Sequence, residues 1–192
     1  LLAKNNDRGA IVMGGARLEF PSYHGVDNEG VAQEFLEAWG CALAGEVGLT
    51  ATEMSQDRID GSVEAMWIMV ENPLISDPNI NHARKAFGSV KFLVVQDIFL
   101  TETAELADVV LPAAAYAEKE GTFTNTERRV QRVRQALLPP KGACDDLSII
   151  QAISDRMDPD RKITWASDFQ PGSDRMDVSK AEEVFNEVAS VW

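Results

Sequence analysis

Two short polar segments begin where apolar runs stop. Glu71-Asn72-Pro73 follows Ala65-Met66-Trp67-Ile68-Met69-Val70, and Gln96-Asp97 follows Phe92-Leu93-Val94-Val95. In a parallel sheet, ligands gather at the carboxyl ends of the strands, where loops and helix N-termini converge. An acidic side chain just past such a strand can accept hydrogen bonds from both hydroxyls of a ribose. Thr101-Glu102-Thr103, a few residues on, opens a helical stretch whose first amides could face a phosphate. This is the chemistry of a nucleotide site. The plainer reading of an Asp after a strand is a turn former or a helix cap. The chain has no Gly-x-Gly-x-x-Gly and no Gly-x-x-x-x-Gly-Lys-Ser/Thr, so neither a nicotinamide fingerprint nor a P-loop is supported.

Metal and thiol chemistry have little to work with. The two cysteines, Cys41 and Cys144, are far apart and form no Cys-x-x-Cys, which excludes a zinc knuckle, an iron–sulfur cluster and a thioredoxin-type motif within this chain. With only His24 and His82 as histidines, no metal site is expected from this segment alone. Arg128, Arg129, Arg132 and Arg134 resemble a phosphate patch, but in an acidic chain they are expected to pair with carboxylates of the domain or of a neighbouring subunit.

The elements that must position these residues follow from periodicity. Residues 1–29 read as loop with short strand or turn. Val31, Phe35, Leu36 and Trp39 recur at helical spacing ahead of Gly40, which predicts a helix over 30–39. Thr52–Ile59 is a second helical candidate. Three apolar runs, 65–70, 92–95 and 109–111, alternate with helical stretches at 78–87 and 101–106. Strands apolar on both faces and alternating with helices predict an α/β fold with a doubly wound, mostly parallel sheet sandwiched by helices. Residues 121–136 read as an extended arm or hairpin. Asp145-Asp146 supplies the acidic start of a helix carrying Leu147, Ile150, Ile153 and Met157, and a last helix is expected over 179–191. The expected organisation is one α/β domain over 1–192: N-terminal loop and helices at 1–62, the sheet core at 63–157, and a polar linker with C-terminal helix at 158–192.

Composition narrows the function classes. The 192 residues are 45% hydrophobic and 26% charged, within the globular range. The net charge is −13, from 18 Lys plus Arg against 31 Asp plus Glu. Such a chain repels phosphate backbones, so no nucleic-acid partner is expected. No apolar run approaches the length of a membrane span and the start lacks a signal-peptide stretch, so no direct membrane insertion is expected, and cytoplasmic placement is the default. The opening Leu1-Leu2-Ala3-Lys4, without Met, reads as part of a longer polypeptide.

Longer stretches carry more information than these patterns. Gln96 to Pro112 (QDIFLTETAELADVVLP) and Glu118 to Gln131 (EKEGTFTNTERRVQ) resemble the catalytic subunit of molybdenum or tungsten formate dehydrogenases, members of the molybdopterin oxidoreductases. Glu71-Asn72-Pro73-Leu74 and Asn5-Asn6-x-x-Gly9-Ala10-x-x-Met13-Gly14 fit the same family. The resemblance covers about 1–157. It implies an internal α/β portion of a large subunit that holds bis(molybdopterin guanine dinucleotide) with Mo or W. By this resemblance Asn72 would lie near the diphosphate and guanosine end, Gln96 and Asp97 would hold a guanosine, Lys119 would approach from the Glu118-Lys119-Glu120-Gly121 loop, and Asp146 would read the guanine. The chemistry suits these types: a carboxylate can accept both N1–H and the exocyclic amine of guanine, and a lysine offsets phosphate charge. On their own, Asp146 would be a helix cap, Lys119 a solvated loop residue and Asn72-Pro73 a turn pair.

Two positions depart from the family pattern: Val70 stands where Gly is usual before Glu-Asn-Pro, and Val12 where Asp is usual. The family's metal ligand, a Cys or selenocysteine followed by His, is missing, since Cys41 precedes Ala42 and Cys144 precedes Asp145. Its 4Fe-4S cysteines are missing too. The expectation is therefore a fragment without catalytic or metal-ligating residues, inactive toward formate by itself. It would be completed by the remainder of the catalytic subunit and by electron-transfer subunits carrying iron–sulfur or flavin, with formate as substrate. A structural domain of the complex I (NADH dehydrogenase) large subunit, without molybdenum, is the alternative. Arg128-Arg129 favours formate dehydrogenase, because the complex I relatives usually read Glu-Gly-Arg there. A family member with another substrate is the third reading.

Overall fold

The computed structural model describes residues 17–21, 24–40, 45–50, 52–54 and 63–157, with 184, 186 and 190. The early Asn5–Gly14 motif, Val12, Cys41, residues 55–59 of the second helical candidate, the 158–178 linker and most of the last helix lie outside the described residues. The chain divides into two compact units. One comprises Leu1–Gly48, Lys119–Ala136 and Arg175–Trp192, the other Leu49–Glu118 and Leu137–Asp174.

In the first unit, strands β1 (Glu19–Phe20) and β2 (His24–Gly25) form a short antiparallel ribbon, followed by helix α1 (Glu29–Trp39). Asn28 caps the helix by accepting from the amides of Gly30 and Val31. Gly40 ends it at φ 66°, the left-handed conformation that its glycine permits without a Cβ clash. Phe20, Val26 and Phe35 are buried together, and Trp39 packs on Phe35 with ring centroids 4.7 Å apart.

The second unit is built on β3 (Ala65–Met69), helices α2 (Pro73–Ser76) and α3 (Ile80–Gly88), β4 (Phe92–Asp97) and β5 (Val109–Pro112). All three strands are parallel, in the order β3-β4-β5, with Trp67 opposite Val94 and Gln96 opposite both Met69 and Leu111. The α/β class with a parallel sheet, expected from alternating apolar runs and helical stretches, is borne out. Ile68, Leu74, Ala83, Phe87, Leu93, Val95 and Ala104 form the core between strands and helices. Burial is concentrated in β4. β3 and β5 keep most of their side chains partly or wholly exposed, although their sequences are as apolar as that of β4.

The residues expected to form a hairpin do so as β6 (Gly121–Thr124) and β7 (Val130–Val133), in the first unit. Helix α4 (Asp146–Met157) starts where the acidic pair predicts. The helix expected over 101–106 is a three-residue 3-10 turn, Ala104–Leu106. No helix among the described residues is long and apolar enough to cross a membrane.

Candidate functional site

The carboxyl edge of the β3-β4-β5 sheet is assembled by backbone hydrogen bonds between the segments that leave it. The Val70 amide donates to the Gln96 carbonyl at 2.8 Å, and the Ala113 amide to the Asp97 carbonyl at 3.0 Å. Cys144 runs parallel beside Ala113, donating to Pro112 at 3.1 Å while its carbonyl accepts from Ala114 at 2.8 Å. The chain thus returns to the end of β5 immediately before α4, which carries the α4 N-terminus to the carboxyl edge of the sheet.

Gln96 is wholly buried, with 0% exposure. Its Nε2 donates to Asp146 Oδ1 at 2.6 Å across 50 residues of sequence, and its Oε1 is buried with no hydrogen-bond partner. An orphaned buried acceptor costs about 1–3 kcal/mol. Asp97 is buried as well. One of its oxygens accepts from the Phe99 amide at 3.1 Å in an Asx-type turn that bends the chain away from the strand.

Asp146 is half-buried and its neighbour performs the capping that the sequence alone would assign to it. Asp145 accepts from the Ser148 amide at 2.9 Å and from its hydroxyl, and the Asp145 carbonyl receives the Ile149 amide. The Asp146 carboxylate is turned to Gln96 instead.

Asn72 precedes α2 but places no side-chain bond on it. Its Nδ2 donates to Glu102 at 2.8 Å and its Oδ1 accepts from Thr103 Oγ1 at 2.7 Å; the same hydroxyl accepts from the Leu74 amide at 3.2 Å. The amide therefore clasps the loop after β3 to the loop after β4. The bond from Asn72, with help from its own backbone amide, holds the Glu102 carboxyl below the ordinary glutamate range. The phosphate-facing helix start expected at Thr101–Thr103 does not form. The Ala104 amide donates to the Thr101 hydroxyl at 3.2 Å, so the first amide of the 3-10 turn is already engaged.

The structure brings Gln96 and Asp146 into contact and sets Asp97 next in the strand, with Asn72 in the neighbouring loop. Lys119 belongs to the other unit, where it is half-buried immediately ahead of the β6–β7 hairpin. Thr103, fully buried and bonded to Asn72, was not singled out by the sequence, although its place in Thr101-Glu102-Thr103 is the one signal for it. Burial, and then the Asp145 carboxylate, push the Cys144 thiol up, consistent with a packing role. Among the described residues no group of His, Cys, Asp and Glu could hold a metal ion.

Residues 6–156 match the family model for molybdopterin oxidoreductases. The chain belongs to that family. Over its whole length it is 44% identical to the F420-dependent formate dehydrogenase subunit alpha of Methanocaldococcus jannaschii and 44% identical to the F420-dependent formate dehydrogenase 2 subunit alpha of Methanococcus maripaludis. A putative formate dehydrogenase of Bacillus subtilis is 40% identical over 88% of this chain. The chain spans 26% of the two archaeal relatives and 17% of the bacterial one. Among solved structures, acetylene hydratase from Pelobacter acetylenicus superposes with a TM-score of 0.55 at 21% identity, covering 70% of this chain and 20% of the hydratase. That likeness is one of fold: this molybdopterin oxidoreductase segment and the hydratase share an α/β architecture.

Proposed function

We propose that this chain is the guanosine-binding α/β part of a formate dehydrogenase catalytic subunit that carries bis(molybdopterin guanine dinucleotide) with Mo or W. The observation that carries the reading is the bond from buried Gln96 to half-buried Asp146 at the carboxyl edge of the sheet, with the oxygen of the Gln96 amide left unsatisfied. Family membership supports a molybdopterin cofactor. The residues present fit its nucleotide end. Within the second unit, Asp146 offers a carboxylate to the paired donors of guanine, Asp97 offers one to ribose hydroxyls, and Asn72 has a place beside the diphosphate.

When bound, the cofactor would supply the two-electron redox centre for converting formate to carbon dioxide. This chain would bind and orient its guanosine end and exclude water from the base. The metal ligand, the 4Fe-4S cluster and the electron-transfer subunits with iron–sulfur or flavin would lie outside it, and cytoplasmic placement goes with the same reading. The formate dehydrogenase names of relatives 44% identical over the whole of this chain, which spans 26% of each of them, support formate as the substrate over the structural complex I reading.

The test is calorimetric titration of the chain with GMP and GDP. Micromolar-to-millimolar binding is expected, weakened tenfold or more by Asp97→Ala and by Asp146→Ala, with no formate-dependent dye reduction by the chain alone. Equal affinities for wild type and both variants would sink the assignment.

A further inference from the structure

Gln96 is an unusual residue for the inside of a central strand. Its own exposure is zero, while Leu93 and Val95, on the opposite face of β4, join the apolar core, and only half of its amide is satisfied. A side chain such as Met would fill a similar volume without stranding an acceptor, so the glutamine lowers stability where it stands. What it contributes is one charge-assisted hydrogen bond to Asp146 Oδ1, delivered from inside the sheet. The direction of that amide is fixed by its partner: exchanging its O and N would set a carbonyl against a carboxylate, two acceptors face to face. Asp145 caps α4 through the Ser148 amide, and Asp146 receives the bond from Gln96.

We infer that Gln96, which the resemblance sets against the guanosine itself, is instead a positioning residue: wholly buried, it does not touch the nucleotide but holds the Asp146 carboxylate in the plane that selects guanine over other purines. The inference rests on the reading that Asp146 meets the base. Guanine offers two adjacent donors, N1–H and the exocyclic amine, which match the two oxygens of one coplanar carboxylate. Adenine offers an acceptor at N1 and a donor on its amine, and gains nothing from that plane. Rotation of the carboxylate therefore erodes selectivity and leaves generic attraction for sugar and phosphate intact.

The experiment measures GMP and AMP affinities of the chain for wild type, Gln96→Met, Asp146→Asn and the double variant, with thermal melts alongside. Asp146→Asn is expected to weaken GMP tenfold or more. Gln96→Met is expected to weaken GMP three- to tenfold with AMP unchanged and the melting temperature not lowered, and the double variant to be no weaker than Asp146→Asn. If Gln96→Met does not fold, Gln96→Leu removes the donor with a smaller apolar side chain and is expected to lose the same selectivity. Equal losses for GMP and AMP, or losses that add in the double variant, overturn the positioning role. Unchanged GMP binding by Asp146→Asn overturns the guanosine reading and this inference with it, whereas a weakened Asp146→Asn beside an unaffected Gln96 variant overturns the inference alone.

Discussion

At the scale of single residues, backbone strain marks one position where this chain departs from the family pattern. Val70 has φ 54°, in the left-handed region that a β-branched side chain enters at a cost of about 1–2 kcal/mol. The hydrogen bond its N–H donates to the Gln96 carbonyl ties it to the carboxyl end of the sheet. The resemblance implies Gly at this position, and a φ of 54° is a conformation that glycine adopts without a Cβ clash. Arg128, at φ 65° in the β6–β7 turn, is the second such non-glycine residue described. Because the Val70 side chain is 54% exposed, little packing is lost by removing it. Val70→Gly is expected to stabilise the chain by about 1 kcal/mol, read as a raised urea midpoint; a lowered midpoint would contradict the strain. Glu102 gives a second prediction. Its carboxyl is held low mainly by the Asn72 amide, so the Asn72–Glu102 bond should be fully formed above the ordinary glutamate range and be lost only as pH falls through the lowered value. In Asn72→Ala, the Glu102 titration followed by carboxyl NMR is expected to move up toward the ordinary range. A titration that does not move would assign the shift to the backbone.

At the scale of elements, α4 separates two adjacent aspartates by role. Asp145 closes the helix N-terminus on Ser148, and Asp146 faces Gln96. Asp145→Ala is expected to cost about 1 kcal/mol of stability and to leave the GMP-to-AMP affinity ratio unchanged, the reverse of the pattern expected for Asp146→Asn. Thermal melts with nucleotide titration check both; a lost ratio in Asp145→Ala would mean that the two carboxylates work as one. The elements themselves were largely legible. The apolar runs at 65–70, 92–95 and 109–111 became β3, β4 and β5 within two residues, Gly40 closed α1, and the acidic pair opened α4. Local signals decide such elements. Pro73 hid the short α2, because Asn-Pro reads as a turn, although Pro is at home in the first turn of a helix. The 101–106 stretch closed as a 3-10 turn once the Thr101 hydroxyl took the Ala104 amide. The candidate site was legible as residue types and not as pairings. A 50-residue separation between Gln96 and Asp146, the transfer of capping to Asp145, and the use of the Asn72 amide as a clasp to Glu102 and Thr103 leave no local pattern to read.

At the scale of the whole molecule, two opposing surface properties predict how the chain behaves in solution. Within the second unit Phe99 is 72% exposed and Leu100 70%, adjacent in the loop after β4, and such adjoining apolar side chains are association sites when nothing covers them. Against this stands a net charge of −13, which makes every encounter between copies repulsive at low ionic strength. The apolar attraction is short-ranged and little weakened by salt. The repulsion is screened over a Debye length of about 10 Å at 0.1 M and about 3 Å at 1 M. The balance should therefore tip with salt alone: light scattering is expected to report a monomer at 20 mM NaCl and a rising average mass toward 1 M. Replacing Phe99 and Leu100 together by Ser should abolish that rise without lowering the melting temperature, because neither side chain is buried. A mass independent of salt would mean that the loop is covered by the chain itself. A rise that survives in the double variant would move the association to another face, such as exposed Trp67 and Met69 on β3, an outer strand of the described sheet.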